Sequence, residues 1–331
     1  MNKGLSDPVD EIASGYKASQ ILLTANRLGL FTALGKGPLS AAALAAEMGT
    51  DPRATRILCD ALASLELLDK TNGVYSNSEL AAEFLLPDSP KSRSAMLLHA
   101  AKLYERWSKL YDVVRTGQPV PEEEIDSRLR GDGRDFARAM ADVGRLAAES
   151  ACEVLDLTGV RRLLDVGGGP GVYALAFAGA NPELQAVILD SPETLEVAAA
   201  NIARQNLRDR VSVRTGDAFV DDLGGPYDFI FISNLLHIYS KEANRKLLVR
   251  CAEALEPGGR LAVKDFLLDP DRLTPAGGAV FAVNMLVSTE GGDSYTAKEV
   301  QQWLEDAGLV FESLENVATH SRILVARKPQ A

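Results

Sequence analysis

The sequence has few cysteines, a deficit of positive charge and no long apolar run. Its three cysteines, Cys59, Cys152 and Cys251, lie far apart without a C-x-x-C pair, which argues against a disulfide framework and a zinc ribbon. Lysine and arginine number 35 against 46 acidic residues, a formal charge of −11, which argues against binding to nucleic-acid phosphates. No stretch of about 18 residues is free of polar breaks, so no membrane span is expected.

The chain is nevertheless rich enough in apolar residues to fold. With 331 residues, 46% of them hydrophobic, it is not a disordered chain and can form one large or two ordinary domains. Its polar, acidic start lacks the basic and apolar regions of a secretory signal. We therefore predict a cytoplasmic protein in a reducing compartment, with neither nucleic acid nor membrane as a partner.

The N-terminal part has the apolar spacing of helices. From Val9 to about Pro121, apolar residues recur at helical intervals and strand-like runs are nearly absent. Residues 39–75 have the order helix, turn, helix and short β-ribbon, which is typical of a winged helix. Between positions 38 and 88, however, three basic residues face eight acidic ones, and phosphates would repel such a module. A packing or dimerisation module is the better interpretation.

From Arg161 onward, short β-rich runs alternate with helical segments, which indicates a parallel α/β sheet. Strands are predicted at 162–166, 185–189, 211–214, 229–233, 260–266, 309–314 and 321–327. Between the strands, helices are predicted at 172–180, 192–206, 241–255 and 297–307. A further helix, at 135–157, links the two halves of the chain.

A glycine-rich loop follows the first predicted strand. It has the form Asp165-x-Gly167-x-Gly169-x-Gly171 and leads directly into a helix. Such glycines let the backbone approach a ligand beyond the carboxyl end of the strand. A phosphate-binding GxxxxGK loop is absent, and the dinucleotide fingerprint GxGxxG fails because position 172 is valine. The spacing resembles motif I of class I S-adenosylmethionine (SAM) methyltransferases, whose cofactor is a sulfonium without pyrophosphate.

Two further carboxylates lie where a nucleoside would need them. Asp190 ends the second strand, 19 residues past Gly171, and can accept hydrogen bonds from both ribose hydroxyls. After the third strand, Asp217 can accept from the adenine amino group, and Phe219 can cover the ring. Each acid could instead cap a helix. Their order along one sheet favours SAM, and Asp165, Gly167, Gly169, Asp190, Asp217, Ala218, Phe219 and Ser233 are the predicted cofactor-binding residues.

The segments Asn234-Leu-Leu-His-Ile-Tyr-Ser and Leu255-Glu-Pro-Gly-Gly-Arg resemble the small-molecule O-methyltransferases of the caffeic acid, acetylserotonin and hydroxyneurosporene type. The resemblance covers nearly the whole chain. It implies a Rossmann-like seven-stranded SAM domain at 158–331, linking helices at 106–157 that contribute to the acceptor pocket, and an all-helical, winged-helix-like dimerisation domain at 1–105. A cytoplasmic homodimer that uses SAM and no metal is the implied state.

The resemblance also implies catalytic roles for two residues. The family motif Leu-His-Asp-Trp places its general base at His237, although Ile238 and Tyr239 replace the Asp and Trp. An imidazole can take the proton of a hydroxyl that attacks the sulfonium methyl group. Asp265 occupies the position of one acid that supports the base. The second acid aligns with Ser294, so that support is missing unless Asp293 or Glu290 supplies it.

The acceptor is expected to bind between the two halves of the chain. The predicted lining residues are His99, Trp107, Met140, Asn234, Asn284 and Met285, although each could be ordinary core. His320 is predicted to lie on the surface. The sequence predicts methylation of a hydroxyl on a small aromatic or polyketide-like molecule. Methylation of carbon, nitrogen or sulfur by the same fold remains an alternative, and a SAM-sensing winged-helix regulator is a rival of another class.

Overall fold

A computed structural model describes residues 7–127, 133–317 and 321–330. Within it, the chain separates into two compact units, with the boundary between Tyr104 and Glu105. His320, which we predicted to lie on the surface, falls outside the described residues. None of the helices in the described ranges combines the length and apolar character of a membrane span.

The N-terminal unit is built from helices and a small sheet. Its elements are α1 (Pro8–Arg27), α2 (Leu30–Leu34), β1 (Leu39–Ser40), α3 (Ala41–Met48), α4 (Pro52–Ser64), β2 (Leu68–Thr71), β3 (Val74–Asn77), α5 (Glu79–Phe84) and α6 (Ser94–Trp107), which runs past the boundary. Asp51 caps α4 by accepting from the Ala54 amide, with Pro52 in the first turn. The predicted ribbon is present as β2 and β3, and β1 adds a third strand to it, so the unit is not entirely helical.

The second unit alternates helices and strands. Its elements are α7 (Leu110–Thr116), α8 (Gly133–Val154), β4 (Arg162–Val166), α9 (Val172–Ala180), β5 (Gln185–Asp190), α10 (Pro192–Arg204), β6 (Val211–Thr215), β7 (Tyr227–Ser233), α11 (Lys241–Ala254), β8 (Leu255–Asp265), α12 (Ala276–Ser288), α13 (Ala297–Asp306), β9 (Val310–Val317) and β10 (Ser321–Arg327). Short 3₁₀ turns cover Glu122–Glu124 and Leu236–Ile238. The predicted α/β organisation is confirmed.

The seven strands form one sheet in the order β6-β5-β4-β7-β8-β10-β9, with β10 antiparallel to both of its neighbours. The strand order reverses between β4 and β7, and in open α/β sheets ligands bind in the crevice outside the strand ends at such a point. Buried apolar residues cover both sheet faces, as a parallel sheet requires. The sheet therefore brings the carboxyl ends of β4, β5, β7 and β8 to one edge.

Helix α12 was not among the elements predicted from the sequence. It contains two glycines and is apolar nearly all round, so it has neither the propensity nor the amphipathic period that identifies a helix. Its packing supplies what the pattern lacks, since Val287 is buried with Val113, Val120 and Ile125.

Candidate active site

The glycine loop turns tightly over the ends of β4 and β5. The Gly167 amide donates to the Leu189 carbonyl at 2.8 Å, and Gly167, Gly169 and Gly171 have φ values of +65°, +56° and +77°. Only glycine adopts this left-handed conformation without strain. A Cβ on Gly168 would lie 2.6 Å from Cγ of Asp165. The loop therefore lies directly on the strand ends, with Gly167 and Gly169 half-buried.

Asp165 lies beneath this loop and is fully buried. Neither carboxylate oxygen accepts a hydrogen bond of ordinary geometry from a described residue. Burial raises the pKa of Asp165 to about 7, an effect that the nearby Ala174 amide partly offsets. A buried carboxyl without a partner is costly, and a cationic ligand above the loop would lower that cost.

Asp190, at the end of β5, is already oriented by the loop. Its Oδ2 accepts from the Gly169 amide at 2.8 Å and its Oδ1 from the Ser191 amide at 2.7 Å. A carboxylate offers about four acceptor sites, so each oxygen can still accept another donor. The side chain is half-buried. It can therefore receive a ribose diol without giving up its protein contacts.

Asp217 and Phe219 lie in the turn after β6. The Phe219 amide donates to Asp217 Oδ1 at 2.8 Å, and the Phe219 ring meets the edge of Tyr239 with centroids 4.6 Å apart. Burial raises the pKa of Tyr239, and the charges of Asp217 and Asp190 raise it further. Tyr239 thus joins the predicted adenine-binding region. The sequence analysis noted it only as a departure from the family motif.

His237 and Asp265 form a buried pair. His237 follows β7 in a 3₁₀ turn and Asp265 ends β8, which lies next to it in the sheet. His237 Nδ1 lies 2.7 Å from Asp265 Oδ1, and the His237 amide donates to Oδ2 at 3.3 Å. Although burial acts to raise the pKa of Asp265, His237 and the Phe266 amide hold it below its usual range. An ionised Asp265 can only accept, so it holds the proton on Nδ1.

Nothing in the described ranges supplies a second acid to His237. Asp293 Oδ2 instead pairs with Arg272 at 2.9 Å, and the Asp293 backbone amide donates to the His237 carbonyl at 3.0 Å. Ser294, at the aligned acid position, is buried, and its hydroxyl has no hydrogen-bond partner among the described residues. Glu290 is exposed. Asp265 is therefore the acid that contacts the imidazole.

Aromatic rings surround the imidazole. The Phe281 ring meets it edge-on with centroids 4.8 Å apart, and Phe281 stacks on Phe266 at 4.1 Å. Phe266 follows Asp265 directly, whereas Phe281 comes from α12. The sequence analysis missed both rings, because no local motif connects α12 with the base.

The predicted acceptor-binding residues are dispersed. Trp107 Nε1 donates to Asn284 Oδ1 at 3.1 Å, which joins the end of α6 to α12, and Met285 beside it is buried. Met140 is half-buried on α8, and Asn234 is half-buried between β7 and the base. His99 lies in the N-terminal unit. Their roles as a pocket lining stay predictions, as do the roles of all eight predicted cofactor-binding residues.

Comparison with known proteins gives the same architecture. An O-methyltransferase domain model matches residues 107–310, and an O-methyltransferase dimerisation domain model matches residues 10–87. The chain is 32% identical over 303 residues to the 3-hydroxy-5-methyl-1-naphthoate 3-O-methyltransferase of Streptomyces sahachiroi, covering 90% of this chain and 88% of that protein. It is 30% identical over 323 residues to the L-tyrosine C(3)-methyltransferase of Streptomyces lavendulae, covering 92% and 87%.

A solved structure resembles the whole fold. Human N-acetylserotonin methyltransferase in complex with SAM superposes with a TM-score of 0.87 at 28% identity, covering 100% of both chains.

Proposed function

The chain belongs to the SAM-dependent O-methyltransferase family, and we propose that it methylates a hydroxyl of a small aromatic or polyketide-like molecule with His237 as general base. The observation that carries the proposal is the 2.7 Å contact between His237 Nδ1 and Asp265 Oδ1. This contact leaves Nε2 as the basic nitrogen, and no described residue forms a hydrogen bond with Nε2.

The cofactor site follows from the strand ends. Asp190 would hold the ribose hydroxyls, Asp217 and Phe219 the adenine, and Asp165 would provide negative charge beneath the amino-acid end of SAM. SAM, when bound, supplies an electrophilic methyl group on a positively charged sulfur. The acidic residues at these strand ends suit that positive charge.

His237 would act by removing the acceptor's proton. A phenol with a pKa of about 10 is a poor nucleophile until it is deprotonated. His237 Nε2 takes that proton while Asp265 stabilises the resulting imidazolium through Nδ1–H. A well-placed base contributes roughly 10²–10⁴-fold. Phe266 and Phe281 flank the pair, and its burial strengthens the electrostatic interaction between His237 and Asp265.

The acceptor class rests on the apolar and aromatic side chains around the base. Phe281 and Phe266 flank His237. Asn284 and Met285 lie on α12 together with Phe281, and Trp107 donates a hydrogen bond to Asn284. A 3-hydroxy-5-methyl-1-naphthoate 3-O-methyltransferase and a tetracenomycin polyketide synthesis 8-O-methyltransferase among the relatives support an aromatic or polyketide-like acceptor. Met140, half-buried on α8, would complete the lining.

Methylation of another atom is the alternative. The relative named for C(3)-methylation of L-tyrosine shows that this family also includes a carbon methyltransferase. His237 contacts one acid rather than two, and proximity to the methyl donor alone can supply much of the acceleration for an already reactive nucleophile.

Incubation with labelled SAM distinguishes methylation of oxygen from methylation of carbon, nitrogen or sulfur. The protein is offered a panel of phenols, enols, amines and thiols, including 3-hydroxy-2-naphthoate, and the methylated atom is located by mass spectrometry. We expect the label on a phenolic or enolic oxygen. Label confined to carbon, nitrogen or sulfur would replace this function with the alternative.

We further propose a cytoplasmic homodimer that forms through the N-terminal unit. A dimerisation model matches 10–87, and the outer face of α1 exposes Val9, Ile12 and Tyr16. A DNA-binding role is disfavoured by charge, because three basic residues face eight acidic ones between positions 38 and 88, and two of the three, Arg56 and Lys70, pair with Asp60 at 2.8 Å and 2.5 Å. Absence of DNA retardation at low salt would remove the regulator hypothesis.

A further inference from the structure

Lys264 is buried beside Asp265, whose pKa its charge helps to lower, and it makes no hydrogen bond to His237 among the described residues. Among the residues that the structure describes, it is the only lysine or arginine that is buried. It precedes Asp265 on β8 and pairs in register with Ser233 on β7. Burying an unpaired ammonium costs free energy, so a lysine at this buried position needs a physical explanation.

The surroundings of Lys264 leave its charge incompletely satisfied. Nζ donates to Asn234 Oδ1 at 2.9 Å and lies 5.8 Å and 5.7 Å from the ring centroids of Tyr173 and Phe266. An ammonium has three donors, and only the one to Asn234 is used among the described residues. Burial lowers the pKa of Lys264 to about 8, and the neighbouring Asp265 partly offsets that effect.

Asn234 is fixed by Lys264 on two sides. Its backbone amide, at φ +54°, donates to the Lys264 carbonyl at 2.9 Å, and its side-chain oxygen accepts from Lys264 Nζ. Because Oδ1 is the acceptor, the two hydrogens of Nδ2 are directed elsewhere, and they reach no described residue. Asn234 is half-buried, so Nδ2 is a donor that a ligand can use.

The position of Asn234 favours the cofactor as that ligand. Leu235, the next residue, covers the first glycine of the loop, since a Cβ on Gly167 would lie 3.0 Å from Leu235 Cδ1. Tyr173, over which Lys264 lies, is in the first turn of the helix that follows the loop. Lys264 and Asn234 therefore adjoin the loop from the β8 side.

Charge complementarity identifies the chemical group. Asp165, Asp190 and Asp217 suit the cationic and hydroxyl parts of SAM, but they would repel the carboxylate of its amino-acid end. We propose that Lys264 is a positioning residue for the cofactor. It fixes the Asn234 amide with Nδ2 as donor and places positive charge behind it, so that the pair receives this carboxylate. The inference rests on SAM as methyl donor and does not involve proton removal by His237. It assigns Asn234 to the cofactor instead of to the acceptor pocket, where the sequence had placed it.

Calorimetric binding of two nucleosides tests this assignment. S-adenosylhomocysteine carries the amino-acid carboxylate, and 5′-methylthioadenosine has the same nucleoside thioether without it. In Lys264→Met and in Asn234→Asp we expect the affinity for S-adenosylhomocysteine to fall about 10–100-fold, as for lost hydrogen bonds to a charged group, and that for methylthioadenosine to stay within about twofold. Lys246→Met, at an exposed lysine of α11, is the matched control and should change neither.

Three results would overturn the proposal. Equal losses for both nucleosides in Lys264→Met would indicate a purely structural role, and an unchanged preference in Asn234→Asp, which keeps the contact to Lys264, would remove the donor. In a Lys264→Met/Asn234→Ala double variant, fully additive losses would show that Lys264 does not act through Asn234. None of these measurements involves His237 or an acceptor, so their failure is distinguishable from failure of the proposed methyl transfer.

Discussion

Asp265 determines which nitrogen of His237 can accept a proton. It accepts from both the ring and the backbone of His237, and its Oδ1 also accepts from the Phe266 amide at 2.8 Å. The carboxylate is therefore held rigidly and stays ionised, because its pKa is lowered in the fold. The imidazole that it orients needs no second acid to expose Nε2. This explains how Ser294 can replace the acid that the family resemblance led us to expect.

Asp165 is maintained at a cost to stability, which predicts a pH-dependent gain in Asp165→Asn. Its folded pKa of about 7 exceeds the unfolded value of about 3.9. The stability that its proton confers is fully present below about pH 4 and is lost as pH rises through about 7. We expect Asp165→Asn, without ligand, to gain stability over the wild type progressively across that window, as measured by urea unfolding.

The same variant should bind SAM more weakly, because the negative charge beneath the loop is gone. A stability difference between the variant and the wild type that is constant from about pH 4 to pH 8 would show that folding does not raise the pKa of Asp165.

At the scale of elements, the glycine loop works because it fits closely against β5. In Gly171→Ala the new Cβ would lie 2.6 Å from Ile188 Cδ1, at a φ of +77°. The left-handed conformation costs about 1–2 kcal/mol and overpacking about 1–3 kcal/mol. We expect a loss of stability of that order in denaturant unfolding, together with weaker cofactor binding.

Gly179→Ala is the matched control, because it lies in α9 with open space where its Cβ would be. An exposed helical glycine replaced by alanine should gain about 0.5–1 kcal/mol. If Gly171→Ala were as stable as Gly179→Ala, the loop would not be fitted to β5.

The elements that sequence predicted best are those with a clear period and a clear end. The predicted bounds are exact for strands 162–166 and 321–327 and for helix 172–180. Glycine or polar residues flank these segments and mark where each begins and ends. The sequence could not predict contacts between residues that are distant in the chain. Three examples are the Phe281 ring against His237, the ion pair of Arg272 with Asp293 and the hydrogen bond of Lys264 to Asn234. No local pattern encodes such contacts.

For the whole molecule, the exposed face of α1 predicts which substitution would disrupt the proposed dimer. Ile12 is 83% exposed in the single chain, with Val9 and Tyr16 also exposed on the same helix. Exposed apolar residues on one element are typical of an interface. We expect Ile12→Lys to shift the protein from dimer to monomer in light scattering after size exclusion.

Val220→Lys is the control for this experiment, because Val220 is 73% exposed in the other unit. It should leave the oligomeric state unchanged. If Ile12→Lys stayed as dimeric as Val220→Lys, α1 would not belong to the interface.

The overall acidity of the chain also has a partial explanation at this scale. Asp165, Asp190 and Asp217 meet at the carboxyl ends of three adjacent strands, although they are separate in sequence. In the N-terminal unit, Asp60 pairs with both Arg56 and Lys70. Under the proposed function, these three strand-end carboxylates account for part of the charge deficit.

The most direct test of the account is the kcat of His237→Ala on the best acceptor of the panel, measured at saturating SAM. Loss of the base should lower kcat roughly 10²–10⁴-fold. Because His237 belongs to the base and not to the proposed cofactor contacts, the affinity for S-adenosylhomocysteine should be unchanged. A kcat close to that of the wild type would contradict the account, since methyl transfer would then proceed without the pair that His237 forms with Asp265.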